Sequence, residues 1–376
     1  MGPEDVWRGA GLYDPTDPGA AERLAVLRYL TERGATIEQM VEAHRMGTLP
    51  GVASDLVTQG RNDVVSVAEV AERAGLPTAR VRRALLAAGI PARDETEVPA
   101  DLASFMAVFE HGAALMGEDA ILAFTRVLGA AANNIAEAAI ALFFAELGPG
   151  TDREGPDELA RARVAEAATT AFTEVPEVLG ILVMHAFERA QRRAEAARSW
   201  PGSSPPADAA TQGPTEVVAL GFVDLVGSTA WSQTMHLRDQ TLALTRFESA
   251  AWTSAVLAGG RVIKTIGDEV FFAAPTAEAA CRIGLEICRA VEEDELLPPA
   301  RGAVGVGSAM PREGDYFGPL VNLLSRLAKA GAPGQMVVTE AAAADLPPEE
   351  WVVRPMEPVL VRGIAEPVRA LTVDLR

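Results

Sequence analysis

Residues 261–272 read Arg-Val-Ile-Lys-Thr-Ile-Gly-Asp-Glu-Val-Phe-Phe. Apolar and β-branched side chains on both arms, joined through Ile266-Gly267-Asp268-Glu269, predict two strands closed by a tight turn. That turn leaves Asp268 at the hairpin tip, where a carboxylate has no structural task beyond favouring the turn. Upstream, Phe222-Val223-Asp224-Leu225-Val226-Gly227-Ser228-Thr229 predicts a strand ending in a carboxylate, then a glycine turn, then a helix. An aspartate at a strand terminus followed by the backbone N–H groups of a helix start is a way to hold a metal beside phosphates. Short strand-like runs at 217–222, 303–309, 335–339 and 370–375 alternate with helical stretches. The alternation predicts an α/β or α+β domain over 217–376.

Working outward, the segment before this domain changes character. Residues 201–216 are rich in proline, glycine and small polar side chains and predict a linker. Residues 1–200 carry apolar positions at spacings of three and four, with abundant alanine, and predict an all-helical domain. The last of these helices, 179–200, begins apolar and gains Arg189, Arg192, Arg193 and Arg198. It is either a solvated helix end whose cations suit the dipole or the element that transmits force between the domains.

The whole chain has 33 basic against 52 acidic residues, a formal charge of -19, and is 49% hydrophobic. Such a composition predicts a globular protein with ample core, and an acidic surface that repels nucleic-acid backbones. The most membrane-like stretch, 120–147, is interrupted by Arg126, Asn133, Asn134, Glu137 and Glu146, so no transmembrane segment is expected. Met1 to Asp5 lacks a signal-peptide pattern. Cys281 and Cys288 lie too far apart along a helix to bond and read as reduced core thiols of a cytoplasmic protein.

The combination of Phe-Val-Asp-Leu-Val-Gly-Ser-Thr at 222–229, Lys-Thr-Ile-Gly-Asp-Glu at 264–269, and Gly-Asp-Tyr-Phe-Gly-Pro-Leu-Val-Asn-Leu-Leu-Ser-Arg-Leu at 314–327 resembles the class III nucleotide cyclases. The resemblance covers 217–376 and implies a ferredoxin-like βαββαβ core. It implies that Asp224 and Asp268 bind two divalent ions, Mg2+ or Mn2+, per site. It implies that Lys264 and Asp315 select the purine, and that Asn322 and Arg326 act on ribose and phosphates. A basic residue late in the domain usually meets the triphosphate in this family, and Arg362 is where it would fall. The family's catalytic centre lies between two cyclase domains. One domain carrying both residue sets therefore implies a homodimer with two equivalent sites.

Elementary chemistry gives each of these assignments a reason. Attack of a ribose 3′-oxygen on the α-phosphate develops charge at the attacking and leaving oxygens, which two metal ions about 3.5–4 Å apart can neutralise. Asn322 and Arg326 stand at i and i+4 of an amphipathic helix and so share a face. Arginine can pair with two phosphate oxygens at once. Adenine offers an N6–H donor and an N1 acceptor, complementing an aspartate acceptor and a lysine donor, whereas guanine wants the reverse. The expected substrate is ATP and the product cyclic AMP.

Two readings compete for the first domain. Residues 67–86 have helix-turn-helix character, with Gly75 in the turn, Thr78 as N-cap and Arg80, Arg82 and Arg83 on the second helix. This suggests a DNA-binding regulator with a nucleotide-sensing cyclase-like domain, but the acidic chain counts against DNA, and the same helix pair is a common packing unit. The other reading follows the resemblance: a helical module, a linker and one cyclase domain are similar to the pH-sensing, autoregulated two-domain mycobacterial adenylyl cyclases. That implies autoinhibition released by acid, with a fatty acid held in the helical core. Phe105, Phe109, Leu122, Phe124, Ile135, Leu142, Phe143 and Phe144 would line such a cavity, although stripes of this kind are ordinarily core. His44, His111, His185 and His236 are the histidines, and His185, in the transmission helix, is the preferred sensor.

Overall fold

In the computed structural model, residues 2–59, 63–93, 95–147, 158–198, 215–361 and 366–376 are described. Packing divides the chain into two units, Met1–Met184 and His185–Arg376.

The first unit contains helices α1 (Pro3–Gly9), α2 (Ala20–Glu32), α3 (Ile37–Arg45), α4 (Val52–Thr58), α5 (Val67–Ala74), α6 (Thr78–Ala87), α7 (Leu102–Met116), α8 (Glu118–Leu147) and α9 (Glu158–Phe172). Helix α10 (Val175–Arg198) starts in this unit and ends in the second. The expectation of an all-helical domain needs correction. Strands β1 (Val64–Ser66) and β2 (Glu97–Pro99) pair antiparallel. At three residues each, they are too short for an alternating pattern to register.

Helix α5 ends at Gly75 with φ 67°, as a left-handed cap requires. The N-cap of α6 is Pro77, and Thr78 is already helical. Arg80 donates to Glu110 at 2.6 Å and to Glu118 at 2.8 Å, and Arg83 donates to Glu118 at 2.9 Å. These guanidiniums fasten α6 to α7 and α8, and a phosphate would have to break those pairs to use them. The apolar set proposed to line a lipid cavity does not share one environment. Phe109 and Leu122 are buried in the core with Val81 and Leu85, whereas Phe124 and Leu142 are 52% and 63% exposed. The Phe144 side chain lies outside the described residues. Among the described residues, one helical stretch, Glu158–Glu195, passes by length and composition as a membrane-crossing candidate at mean hydropathy 1.3, which the reading of 120–147 did not anticipate. None of its apolar window is buried.

In the second unit β3 (Glu216–Leu225), α11 (Ser228–Thr234), α12 (Leu237–Leu257), β4 (Arg261–Ile266), β5 (Glu269–Ala274), α13 (Ala277–Glu292) and β6 (Ala300–Arg312) follow the βαββαβ pattern with the first helix in two pieces. The four strands lie antiparallel in the order β4-β5-β3-β6. The chain continues through β7 (Asp315–Phe317), α14 (Pro319–Leu327), β8 (Met336–Thr339), α15 (Glu340–Ala344), β9 (Trp351–Pro355) and β10 (Ala370–Leu375). Strand β8 joins parallel to β6, and β10 and β9 complete that edge, so the sheet is mixed. The expected linker, as far as residue 214, lies outside the described residues, and Glu216 already belongs to β3.

Both faces of the central sheet are covered, which is why β3 is a continuous apolar run rather than an alternating one. Phe247 and Ala251 of α12 and Ile283 and Ile287 of α13 pack on one face, against Val223, Phe272 and Val304. Leu324 and Leu327 of α14 pack on the other, against Leu220, Phe222 and Phe271. Each such side chain contributes about 1.5–3 kcal/mol on burial. Phe222 and Phe271 stack across β3 and β5 with centroids 4.3 Å apart. Cys281 and Cys288 are buried and free, and burial pushes both thiols up to about 12.

Candidate active site

Asp224 is the penultimate residue of β3, 6% exposed, between two strand neighbours. In register it faces Arg301 of β6 on one side and Glu269 of β5 on the other. Arg301 Nη2 donates to Asp224 Oδ2 at 3.4 Å. The hairpin tip is drawn to the same place, since the Leu225 N–H donates to the Asp268 carbonyl at 3.1 Å. Gly267, at φ 64°, makes that tip. Burial, and then the neighbouring Asp268 charge, raise the Asp224 carboxyl above its ordinary range, with Lys329 and Arg301 opposing. Glu269 is also raised, mainly by burial, and Lys329 Nζ answers it at 3.3 Å.

This donor set fits a divalent cation. A buried carboxylate beside a second one, as Asp224 is beside Asp268, gains from a positive ion placed between them. Among the described residues, no set of three or more His, Cys, Asp or Glu side chains is placed to hold a metal. A pair matches Mg2+, which takes one or two protein carboxylates and fills its shell with water and substrate phosphates.

The second constellation forms on β4. The pairing of β4 with β5 shifts by one residue between Val262, which faces Phe272, and Lys264, which faces Phe271. Such a bulge re-aims a strand's side chains. Lys264 Nζ donates to Asp315 Oδ2 at 2.5 Å, across 51 residues of sequence. The other Asp315 oxygen accepts from the Tyr316 N–H at 2.7 Å, and the Tyr316 hydroxyl donates to Glu216 at 2.6 Å. Behind the pair, Arg261 Nη1 donates to the Gly314 carbonyl at 3.0 Å.

The third group is on α14. Pro319 opens the helix, Leu324 and Leu327 are buried beneath it, and Asn322 and Arg326 are exposed on its other side. Thus the structure brings Asp224 together with Asp268, and Lys264 together with Asp315, and leaves Asn322 and Arg326 on one helix face. Arg362 lies outside the described residues. Sequence reasoning missed Arg301, Lys329 and Glu269. The Arg301–Asp224 pairing is a matter of strand register, and Lys329 follows α14 as an apparently ordinary surface lysine. The one signal present was Glu269 next to Asp268.

No family model matches the chain. An uncharacterised protein of Mycobacterium tuberculosis is 31% identical over 373 residues, 97% of this chain and 93% of that protein. An adenylate cyclase of Glutamicibacter nicotianae is 39% identical over 150 residues, 39% of this chain and 37% of that protein. A pH-sensitive adenylate cyclase of Mycobacterium tuberculosis is 26% identical over 347 residues, 88% of this chain and 81% of that protein. The chain is thus a homologue of adenylate cyclases over part of its length, and of the uncharacterised mycobacterial protein over nearly all of it.

Proposed function

We propose that the protein is an adenylate cyclase that converts ATP to 3′,5′-cyclic AMP and pyrophosphate at sites shared between two copies of the chain. The Lys264–Asp315 bond carries this reading, because it joins at one point the donor and the acceptor that adenine's edge requires. Asp315 would accept from N6–H and Lys264 would donate to N1. The ribose 3′-oxygen then attacks the α-phosphorus, the bond to the bridging oxygen breaks, pyrophosphate leaves, and the 3′-hydroxyl proton passes to solvent. Asp224 and Asp268 would hold two divalent ions, which supply charge neutralisation at the attacking and leaving oxygens when bound. Arg326 would meet the negative charge developing on the phosphate, and Asn322 would orient the ribose. Arg362 is proposed as the triphosphate contact on resemblance alone.

The homodimer has support in exposed apolar surface. Ile181, Leu182, Met184 and Phe187 of α10 are 66%, 59%, 59% and 55% exposed, which a second copy would cover. Mixing Asp268→Ala chains with Asn322→Ala chains should restore activity at one of the two sites of each mixed dimer. Well-folded mixed dimers with no activity would refute the shared site.

We assign regulation by acid to the N-terminal domain, with His185 as sensor. The support lies at the end of α10. Arg189 of α10 donates to the Gly260 carbonyl, next to Arg261, at 3.5 Å, and Arg193 lines one cavity with Arg261 and Tyr316. Arg261 begins the strand that carries Lys264 and touches Gly314 beside Asp315. A shift of this helix end would therefore reach the purine pair. The full chain should gain activity from about pH 8 to 6 while residues 212–376 do not. Parallel profiles for the two would discard the mechanism.

A further inference from the structure

We infer that Arg301 is a positioning residue that ties the metal-binding end of β3 to the chain leaving α14, so that one guanidinium serves both active sites of the dimer. Its Nη2 donates to Asp224 Oδ2 at 3.4 Å, and its Nη1 to the carbonyls of Lys329 and Gly331 at 2.8 and 3.3 Å. Lys329 in turn reaches Glu269, beside Asp268, at 3.3 Å. Segment 329–331 is thus fastened to both strands that carry the acidic residues. The planar guanidinium holds these partners in fixed relation, which a lysine could not do.

The arrangement also costs stability. Arg301 Nε is buried without a hydrogen-bond partner, and an unsatisfied buried donor is disfavoured by about 1–3 kcal/mol. A leucine there would avoid that cost, so the arginine is explained by what it holds. The two-site part of the inference rests on the shared-site reading. In that arrangement Asp224 serves one site, while Asn322 and Arg326 of the same chain serve the other. Arg301 spans the interval between them.

The test begins with the full-length Arg301→Met homodimer. Mn2+ binding in the presence of a non-cyclisable ATP analogue, followed by electron paramagnetic resonance, should weaken about 10–100-fold, as is usual when a partner of a metal ligand is removed. Next, Arg301→Met is placed in either chain of the mixed Asp268→Ala and Asn322→Ala dimer. In the Asn322→Ala chain, which supplies the working aspartates, it should weaken Mn2+ binding. In the Asp268→Ala chain, which supplies the working α14, it should lower kcat about tenfold at unchanged Mn2+ affinity, by analogy with other supporting residues. Arg301→Lys should recover part of the metal affinity and none of the kcat loss, since an ammonium cannot bridge the two carbonyls and the carboxylate together. Unchanged Mn2+ affinity in the homodimer overturns the inference. So do equal losses from both placements that follow a fall in thermal midpoint, because they would reduce Arg301 to packing. If the mixed dimer without Arg301 changes is silent, the shared-site reading and the two-site role fail together, and the homodimer's Mn2+ affinity still decides the link to Asp224.

Discussion

Replacing Asp224 with asparagine is expected to lower cyclic AMP formation about a thousandfold, equivalent to about 4 kcal/mol of barrier, in a protein that melts at a higher temperature than the parent. The loss follows from its proposed role as one of two carboxylates for the metals. The gain follows from its burial. Burial and Asp268 raise the Asp224 carboxyl in the folded state above its unfolded value, so the fold binds this proton more tightly than the unfolded chain does. Its contribution to stability is then favourable as pH falls toward the unfolded pKa and is lost as pH rises through the folded one. At neutral pH the ionised group works against the fold. An amide removes that charge and still accepts from Arg301. For a domain of this size each kcal/mol recovered raises the midpoint by about 2–4 °C. Thermal melts with and without Mn2+ and ATP check both halves, because the ligand should raise the midpoint of the parent and not of Asp224→Asn. A destabilised but active variant would contradict the assignment.

Lys264→Ala is expected to cut kcat/KM for ATP about a hundredfold while leaving any use of GTP nearly unchanged, so that the proposed preference for adenine collapses. A charged hydrogen bond contributes about 1.5–3 kcal/mol, and here its loss also leaves Asp315 without the cation that shares its site. Because the two side chains touch, the effects of Lys264→Ala and Asp315→Ala should be strongly non-additive. Steady-state kinetics with both nucleotides on the two single variants and the double variant decide this. Additive effects with an intact ATP preference would remove the pair from purine recognition.

The hairpin tip, the strand end at Asp224 and the amphipathic helix at 319–327 were legible because each depends on local pattern: a Gly-Asp turn, an apolar run ending in a carboxylate, and a three-four spacing of leucines. Strands β7 and β9 were not. Asp315–Phe317 is too short to alternate, and Trp351–Pro355 sits at the sheet edge and ends in the residue least suited to a ladder. The bulge before Lys264 was also hidden, since without it Lys264 would face Val270 rather than Phe271. Arg301 illustrates the general limit. In sequence it opens a strand as any surface arginine might, and only the register of β3 against β6 sets it opposite Asp224.

Helix α14 is the crossover between the parallel strands β6 and β8, and this has a consequence for how the enzyme matures. The strands around Asp224 and the Asp268 turn complete an antiparallel core from residues 216–312, whereas Asn322 and Arg326 reach their places only when β8 closes a longer loop. A nascent chain leaving the ribosome would gather its acidic pair early and Asn322 and Arg326 last. Turnover would thus begin only after the final third of the domain has folded, and an incomplete chain would be inert toward the cell's ATP.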